Sequence, residues 1–182
     1  MFQVSALKVP SDQSRIDDNM GNKDALRLPV VSLSAEYLVL GQLMRRNILA
    51  YKAPPNNEGY DLICIHPDPR QSTKIIRVQV KSRYQTDCDR AFPVKGKTFG
   101  AFEYLIVVFL NIGFFFSRVG DENGRQGPEY FTLPREFVEK HHYRPQSGFQ
   151  KVRIRGLDLS AFKDETGFEQ IARDLQIRYP SR

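Results

Sequence analysis

YDLICIHPDPRQSTKIIRVQVKS, residues 60–82, carries polar side chains within two apolar runs, where hydrophobic residues would stabilise a strand more. The turn-forming segment PDPRQS separates the two runs, and this order predicts a β-hairpin. Successive side chains of a strand point to opposite faces, so Gln79 and Lys81 share one face of the second strand. Asp61 opens the first strand. The hairpin therefore has a carboxylate on one strand and an amide and an ammonium group on its neighbour.

The flanking segments predict a sheet covered by helices. SLSAEYLVLGQLMRRNILAY, residues 32–51, has helical spacing, and Glu36 falls beside its apolar stripe, at the predicted edge of the core. EYLIVVFL, residues 103–110, predicts a central strand that is buried on both faces. The helical stripe consists of Leu33, Tyr37, Leu40 and Met44. Further strands are predicted at 114–119, 130–133 and 151–159, and short helices at 134–142 and 167–177.

The length and composition predict one folded domain. A chain of 182 residues with 41% hydrophobic residues can bury a substantial core. The order of a helix, several strands and then short helices predicts a mixed α+β (α/β) fold with a central sheet. Residues 1–30 are polar and aperiodic, and we interpret them as a flexible N-terminal arm that precedes a single domain at 31–182.

Basic residues are concentrated in two stretches of a chain whose net charge is +6. Residues 70–98 contain eight basic residues and two acidic ones, an excess equal to that of the whole chain. Residues 144–155 add four basic residues and no acid. This distribution favours a polyanionic partner such as a nucleic acid. The predicted nucleic-acid contacts are Arg77, Arg83, Lys95, Lys97, Lys151 and Arg153.

Cysteine content and hydropathy indicate the compartment. Cys64 and Cys88 show neither metal-ligand spacing nor a disulfide pattern, which favours a reducing cytosol. The longest apolar run, YLIVVFLNIGFFF at 104–116, is interrupted and is too short to span a bilayer. We therefore expect a cytoplasmic protein that does not associate with membranes.

The polar residues of the hairpin and the first helix suit a divalent cation. Mg²⁺ and Mn²⁺ prefer oxygen ligands, and Asp61 offers a carboxylate and Gln79 an amide oxygen. The backbone carbonyl of Val80 is a third candidate ligand, and Glu36 a fourth that binds directly or through water. Lys81 would contact a phosphate or orient a water. Such a site suits hydrolysis of a phosphodiester bond.

GYDLI followed by IRVQVKS, preceded by a glutamate-bearing helix, resembles the PD-(D/E)XK nuclease superfamily over roughly residues 32–110. The resemblance implies a restriction-endonuclease-like fold, whose αβββαβ core has a mixed central sheet flanked by helices. It assigns Asp61 to the metal-binding aspartate and Lys81 to the catalytic lysine. Glu36 corresponds to the helix-borne glutamate of the resolvase-like branch.

Gln79 occupies the place of the superfamily's second acid and gives a Gln-x-Lys motif. Similar variants include active homing-endonuclease-like enzymes, so the change does not exclude catalysis. The change removes one negative charge from the site. We therefore expect weaker cation binding, with Glu36 and Asp61 balancing the charge.

These features favour a metal-dependent DNA endonuclease of the restriction, homing or Holliday-junction-resolvase kind, which uses Mg²⁺ or Mn²⁺. The resemblance also implies a homodimer, since family members often cut two strands as dimers, but no apolar stripe of the sequence marks an interface. Two other functions stay open: a non-catalytic module that binds nucleic acid or protein, and an interaction protein with a vestigial site. Taken singly, Asp61 also fits a strand-edge aspartate, and Gln79 and Lys81 also fit the solvated face of an amphipathic strand.

Overall fold

The computed structural model describes most of the predicted domain. The arm predicted at 1–30 lies outside the described residues except for its last residue, and so does the strand predicted at 114–119. The described ranges are 30–55, 57–84, 90–113, 126–146 and 149–178.

A five-stranded mixed sheet forms the centre of the fold, with strand order β1-β2-β3-β5-β6. β3 and β5 are parallel, and the other neighbouring pairs are antiparallel. The strands are β1 (Leu49–Lys52), β2 (Leu62–Ile65), β3 (Ile75–Arg83), β4 (Ala91–Pro93), β5 (Tyr104–Phe109), β6 (Glu129–Pro134), β7 (His142–Tyr143) and β8 (Lys151–Arg153). The helices are α1 (Val31–Met44), α2 (Arg135–Lys140) and α3 (Asp164–Asp174). The predicted mixed α+β fold with a central mixed sheet is confirmed.

The predicted hairpin is present as β2 and β3. Leu62 pairs with Val78 in an antiparallel register. The parallel strand β5 requires a crossover from β3, and this connection contains β4 and the 3₁₀-helix Gly96–Ala101. β4 joins β7 and β8 in a second, three-stranded sheet of order β4-β8-β7.

Two hydrophobic cores lie on opposite faces of the central sheet. The first lies between the sheet and the helices α1 and α3. The second lies between the sheet and the three-stranded sheet. β5 contributes to both, since all six of its residues are buried, as predicted for a central strand. None of the described helices is long and apolar enough to cross a membrane.

Helix α1 buries a different face from the predicted one. Its core residues are Ala35, Val39 and Leu43, all fully buried. The predicted stripe is largely exposed, at 45% for Leu33, 55% for Tyr37 and 52% for Met44, with Leu40 only partly buried. The helix is apolar on nearly all sides, so its periodicity does not select a face. The small side chain of Ala35 lets the helix backbone approach the sheet more closely than the larger residues would.

The segment predicted as helix over residues 32–51 is divided in two. α1 ends at Met44, and Asn47 adopts a left-handed conformation with φ 60°. Asparagine tolerates this conformation better than most residues, and it stops the helix. β1 then begins at Leu49.

Candidate active site

At the end of the β2–β3 ladder, the side-chain carboxylate of Asp61 takes the place of a backbone carbonyl as a hydrogen-bond acceptor. Its backbone N–H donates to the carbonyl of Val78 at 2.8 Å, although the neighbouring Leu62 also has Val78 as its partner in the register. The ladder is thus offset by one residue at Asp61. The Val80 N–H donates to Asp61 Oδ2 at 2.7 Å. This hydrogen bond holds the carboxylate against the backbone of β3.

The carbonyl of Val80 lies on the same side of β3 as the Asp61 carboxylate. In a strand, the N–H and C=O of one residue point to the same side, and the Val80 N–H points to Asp61. Oδ1 of Asp61 accepts no hydrogen bond from the described residues. Two oxygen atoms with free lone pairs therefore lie at this edge of the hairpin.

Gln79 has a buried oxygen without a partner. The residue is 8% exposed, and its Oε1 makes no hydrogen bond to any described residue. Buried polar atoms are nearly always hydrogen-bonded in native proteins, and leaving one unpaired costs about 1–3 kcal/mol. Gln79 pairs with Leu105 on β5 and lies one residue before Val80. An unpaired oxygen beside these two ligand candidates is consistent with a site for a cation.

Lys81 lies two residues beyond Gln79, on the same face of β3, opposite Val107 of β5. The side chain is half-buried. Within the described ranges it forms no ion pair and no hydrogen bond. Its ammonium group is therefore available for an anion that approaches this face.

Glu36 is held by a different partner. Its carboxylate forms an ion pair with Lys52 on β1. Lys52 alternates with Ala50, which is buried in the first core, so Lys52 lies on the α1 face of the sheet. No hydrogen bond or ion pair between described residues joins Glu36 to Asp61, and the metal role of Glu36 stays a prediction. Lys52 was not recognised in the sequence because it was interpreted as the start of a turn, whereas the structure places it at the end of strand β1.

The donor atoms fit a hard cation that is bound weakly. In the part of the chain that is described, no three His, Cys, Asp or Glu side chains come together to hold a metal ion. The structure joins Asp61 to the backbone of Val80, and Gln79 precedes Val80 in the chain, so the candidate donor set has one carboxylate, from Asp61, and two neutral oxygens, from Val80 and Gln79. Oxygen-only ligands with waters completing an octahedron are typical of Mg²⁺ and Mn²⁺. The orphaned Oε1 of Gln79 is the observation that favours the fit.

Two of the predicted DNA contacts are engaged within the protein. Arg77 donates to Glu103 from Nη2 at 2.6 Å and from its backbone N–H at 2.7 Å. Burial alone would raise the pKa of Glu103, but the hydrogen bonds and charge of Arg77 outweigh burial and lower it. Arg83 donates to the Ala91 carbonyl at 2.6 Å and thereby joins β3 to β4. A DNA role for Arg77 and Arg83 stays a prediction.

The remaining predicted DNA contacts lie near the protein surface. Lys95 and Lys97 are 71% and 64% exposed in their side chains and share Glu58, with Nζ to Oε1 distances of 3.8 and 2.7 Å. The charge and hydrogen bond of Lys97 lower the pKa of Glu58. Lys151 and Arg153 lie on β8 of the three-stranded sheet.

Comparisons with known proteins found similarity only among solved structures. No family model matches the chain, and no curated protein matches it. A bacterial homing endonuclease is similar over 80% of this chain and 91% of its own, with a TM-score of 0.46 and 12% identity. A Holliday junction resolvase from the archaeal hyperthermophile Archaeoglobus fulgidus is similar over 82% of this chain and 98% of its own, with a TM-score of 0.42 and 12% identity.

Proposed function

We propose that the protein is a metal-dependent DNA endonuclease that hydrolyses phosphodiester bonds. The observation that carries this proposal is the buried Oε1 of Gln79, which has no partner among the described residues and belongs to the residue before Val80, whose N–H holds Asp61 Oδ2. Lys81 adds, on the same strand face as Gln79, a cation that has no ion pair with any described residue. Such a site does not stabilise the fold, because a polar group costs less free energy in water or in a hydrogen bond than when it is buried without a partner.

Each residue has a defined part in this proposal. Asp61 would bind the cation with Oδ1 while Oδ2 keeps its hydrogen bond to Val80, so the carboxylate needs little reorganisation. The Val80 carbonyl and Gln79 Oε1 would complete the protein ligands. A bound Mg²⁺ or Mn²⁺ would stabilise charge on the phosphate and lower the pKa of a bound water. Glu36, already paired with Lys52, would act on the cation through water.

Lys81 would contact a non-bridging oxygen of the scissile phosphate. An ammonium group in a half-buried position stabilises the negative charge that grows there more than it would in bulk water. The basic surface residues Lys95 and Lys97 would contact DNA phosphates once they release Glu58. Binding should then weaken steeply with salt.

Cleavage of plasmid DNA and of a branched junction with Mg²⁺ tests the proposal. We expect Asp61→Asn and Lys81→Met each to lower the cleavage rate about 100-fold or more. Lys74→Met is the matched control, because Lys74 pairs with Asp174 near the hairpin tip and lies outside the site. Equal rates in the wild type and both site variants would refute the site assignment.

The non-catalytic alternative is favoured by Gln79, which leaves a single acid in the donor set. It predicts DNA binding without cleavage and without Mg²⁺ or Mn²⁺ uptake in calorimetry. Metal uptake that is lost in Asp61→Asn would exclude it. A homodimer that cuts both strands stays a prediction, testable by sedimentation.

A further inference from the structure

The three-stranded sheet has one face buried in the second core, and most of the residues on its other face reach solvent, although Ala91 on that face is buried. Phe92 and Val152 point inward and are fully buried in the second core. The alternate residues of β8, Lys151 and Arg153, point outward. Tyr143 of β7 pairs with Lys151 and is 42% exposed. An aromatic ring and two cations therefore share the outer face.

Phe149 extends this outer face by a second ring. The carbonyl of Gln150 accepts the Val94 N–H at 3.2 Å, which continues the β4–β8 register by one residue. Gln150 Oε1 also accepts the Gly96 N–H at 2.7 Å. Phe149, next along the strand, alternates with Gln150 and falls on the outer face. It is 87% exposed, more than any other large hydrophobic residue among those described.

The exposure of Phe149, beside the hydrogen-bonded Gln150, suggests that the ring contacts a binding partner. A fully buried Phe side chain stabilises a protein by about 1.5–3 kcal/mol relative to an exposed one, and Phe149 forgoes nearly all of this. The ring is thus presented to whatever binds the outer face.

The two chain segments that form the three-stranded sheet carry only basic charges, although Glu58, from outside them, pairs with Lys95 and Lys97. Residues 90–102 and 142–157, which supply all three strands, contain no acidic residue. The guanidinium of Arg153 lies 3.9 Å from the centre of the Tyr143 ring. The basic residues of these two segments are Arg90, Lys95, Lys97, Arg144, Lys151, Arg153 and Arg155. The charge suits a polyanion and would repel a basic partner.

One ring and two cations follow one another along the outer face. Phe149, Lys151 and Arg153 follow one another at every second residue, about 7 Å apart along an extended strand. Tyr143 flanks them on β7. Cations that bind phosphates, interleaved with rings that stack on bases, are the combination by which proteins bind single-stranded nucleic acid.

We propose that this outer face, defined by Tyr143, Phe149, Lys151 and Arg153, binds single-stranded DNA. A duplex stacks its bases on one another and offers no base face to Phe149, whereas an unpaired strand does. The proposal deepens the proposed function, on which it rests for DNA as the ligand, by naming a substrate with an unpaired segment. The outer face is separate from the Asp61 site, which lies on the central sheet.

Fluorescence anisotropy of a labelled oligothymidylate with the full chain, in EDTA, measures this binding. We expect Phe149→Ala and Phe149→Leu each to weaken binding roughly 5- to 100-fold, because neither side chain stacks on a base. A labelled duplex of the same length should bind both variants as it binds the wild type. Tyr51→Ala, which removes a ring that is 50% exposed on β1, is the matched control and should change nothing.

Two further readouts separate stacking from charge. The chain has no tryptophan, so Phe149→Trp introduces a lone fluorophore, which oligothymidylate should quench with little loss of affinity. Lys151→Ala should lower the slope of log affinity against log salt by about 0.7, as expected for one lost single-strand phosphate contact. Lys74→Ala should leave the slope unchanged.

The proposal is overturned if Phe149→Ala binds oligothymidylate like the wild type, or if it weakens duplex binding equally. Tighter binding of oligouridylate than of oligothymidylate would refute DNA as the ligand. EDTA keeps the result independent of catalysis. If the wild type binds oligothymidylate as expected but never cleaves DNA with Mg²⁺, only the nuclease proposal is refuted. If cleavage requires Asp61 but Phe149→Ala binds oligothymidylate like the wild type, only the single-strand-binding role of the outer face is refuted.

Discussion

Replacing Gln79 by methionine should stabilise the metal-free protein. The Gln79 side chain is 8% exposed and its Oε1 has no partner among the described residues. An unpaired buried acceptor costs about 1–3 kcal/mol, and methionine fills a similar volume without one. We expect Gln79→Met to raise the free energy of unfolding by about 1–2 kcal/mol. For a chain of this size the melting temperature would rise by about 2–8 °C.

Urea unfolding followed by circular dichroism, in EDTA and then in Mn²⁺, measures the stability of the metal-free protein and the stabilisation that Mn²⁺ adds. Mn²⁺ at a hundred times its dissociation constant should stabilise the wild type by about 2.7 kcal/mol. Gln79→Met, lacking one ligand, should gain less. Gln42→Met is the matched control, since Gln42 Oε1 accepts from Arg46 Nη1 at 2.7 Å. Losing that bond should destabilise the protein by about 1 kcal/mol.

The reasoning fails if Gln79→Met is less stable than the wild type in EDTA. That result would mean that the amide oxygen has a stabilising partner within the protein. It fails equally if Mn²⁺ stabilises Gln79→Met and the wild type by the same amount, because Gln79 would then not be a ligand.

Three more predictions follow from the charges of the site and the core. Gln79→Glu adds a second carboxylate to the donor set and should bind Mn²⁺ at least about 10-fold more tightly in calorimetry. Unchanged affinity would mean that Gln79 is remote from the cation. The pKa of Glu103 is lowered in the folded protein, so its stabilisation is present above the pKa of the unfolded chain and is lost as pH falls through the folded value. Urea titrations should therefore show that wild-type stability falls more steeply than that of Glu103→Gln below about pH 5, and parallel curves would exclude the effect. Burial raises the pKa of Cys64 to about 12, so iodoacetamide should modify Cys64 only after unfolding, and peptide mapping that finds Cys64 modified in the native protein would contradict its burial.

The parts of the fold that follow from local patterns were predictable. Strict alternation in β3 identified the hairpin and the shared face of Gln79 and Lys81, because each face of a strand meets one environment. The unbroken apolar run of β5 likewise identified a strand buried on both faces. These signals depend only on residues near one another in the chain.

The parts that depend on distant partners were not predictable. β4, β7 and β8 have two or three residues each, too few for a periodic signal, and they exist because they pair with one another over the second core. The partner of Glu36, Lys52, became visible only once β1 was seen to pair with β2. The unpaired oxygen of Gln79 likewise required the packed structure.

Anomalous diffraction from crystals of the full chain soaked in Mn²⁺ tests the central claim most directly. We predict one ion about 2.1 Å from an Asp61 carboxylate oxygen, the Val80 carbonyl oxygen and Gln79 Oε1, with waters completing the octahedron. A map in which Mn²⁺ is absent from this position, or in which Gln79 Oε1 accepts a hydrogen bond from the protein instead, would contradict it.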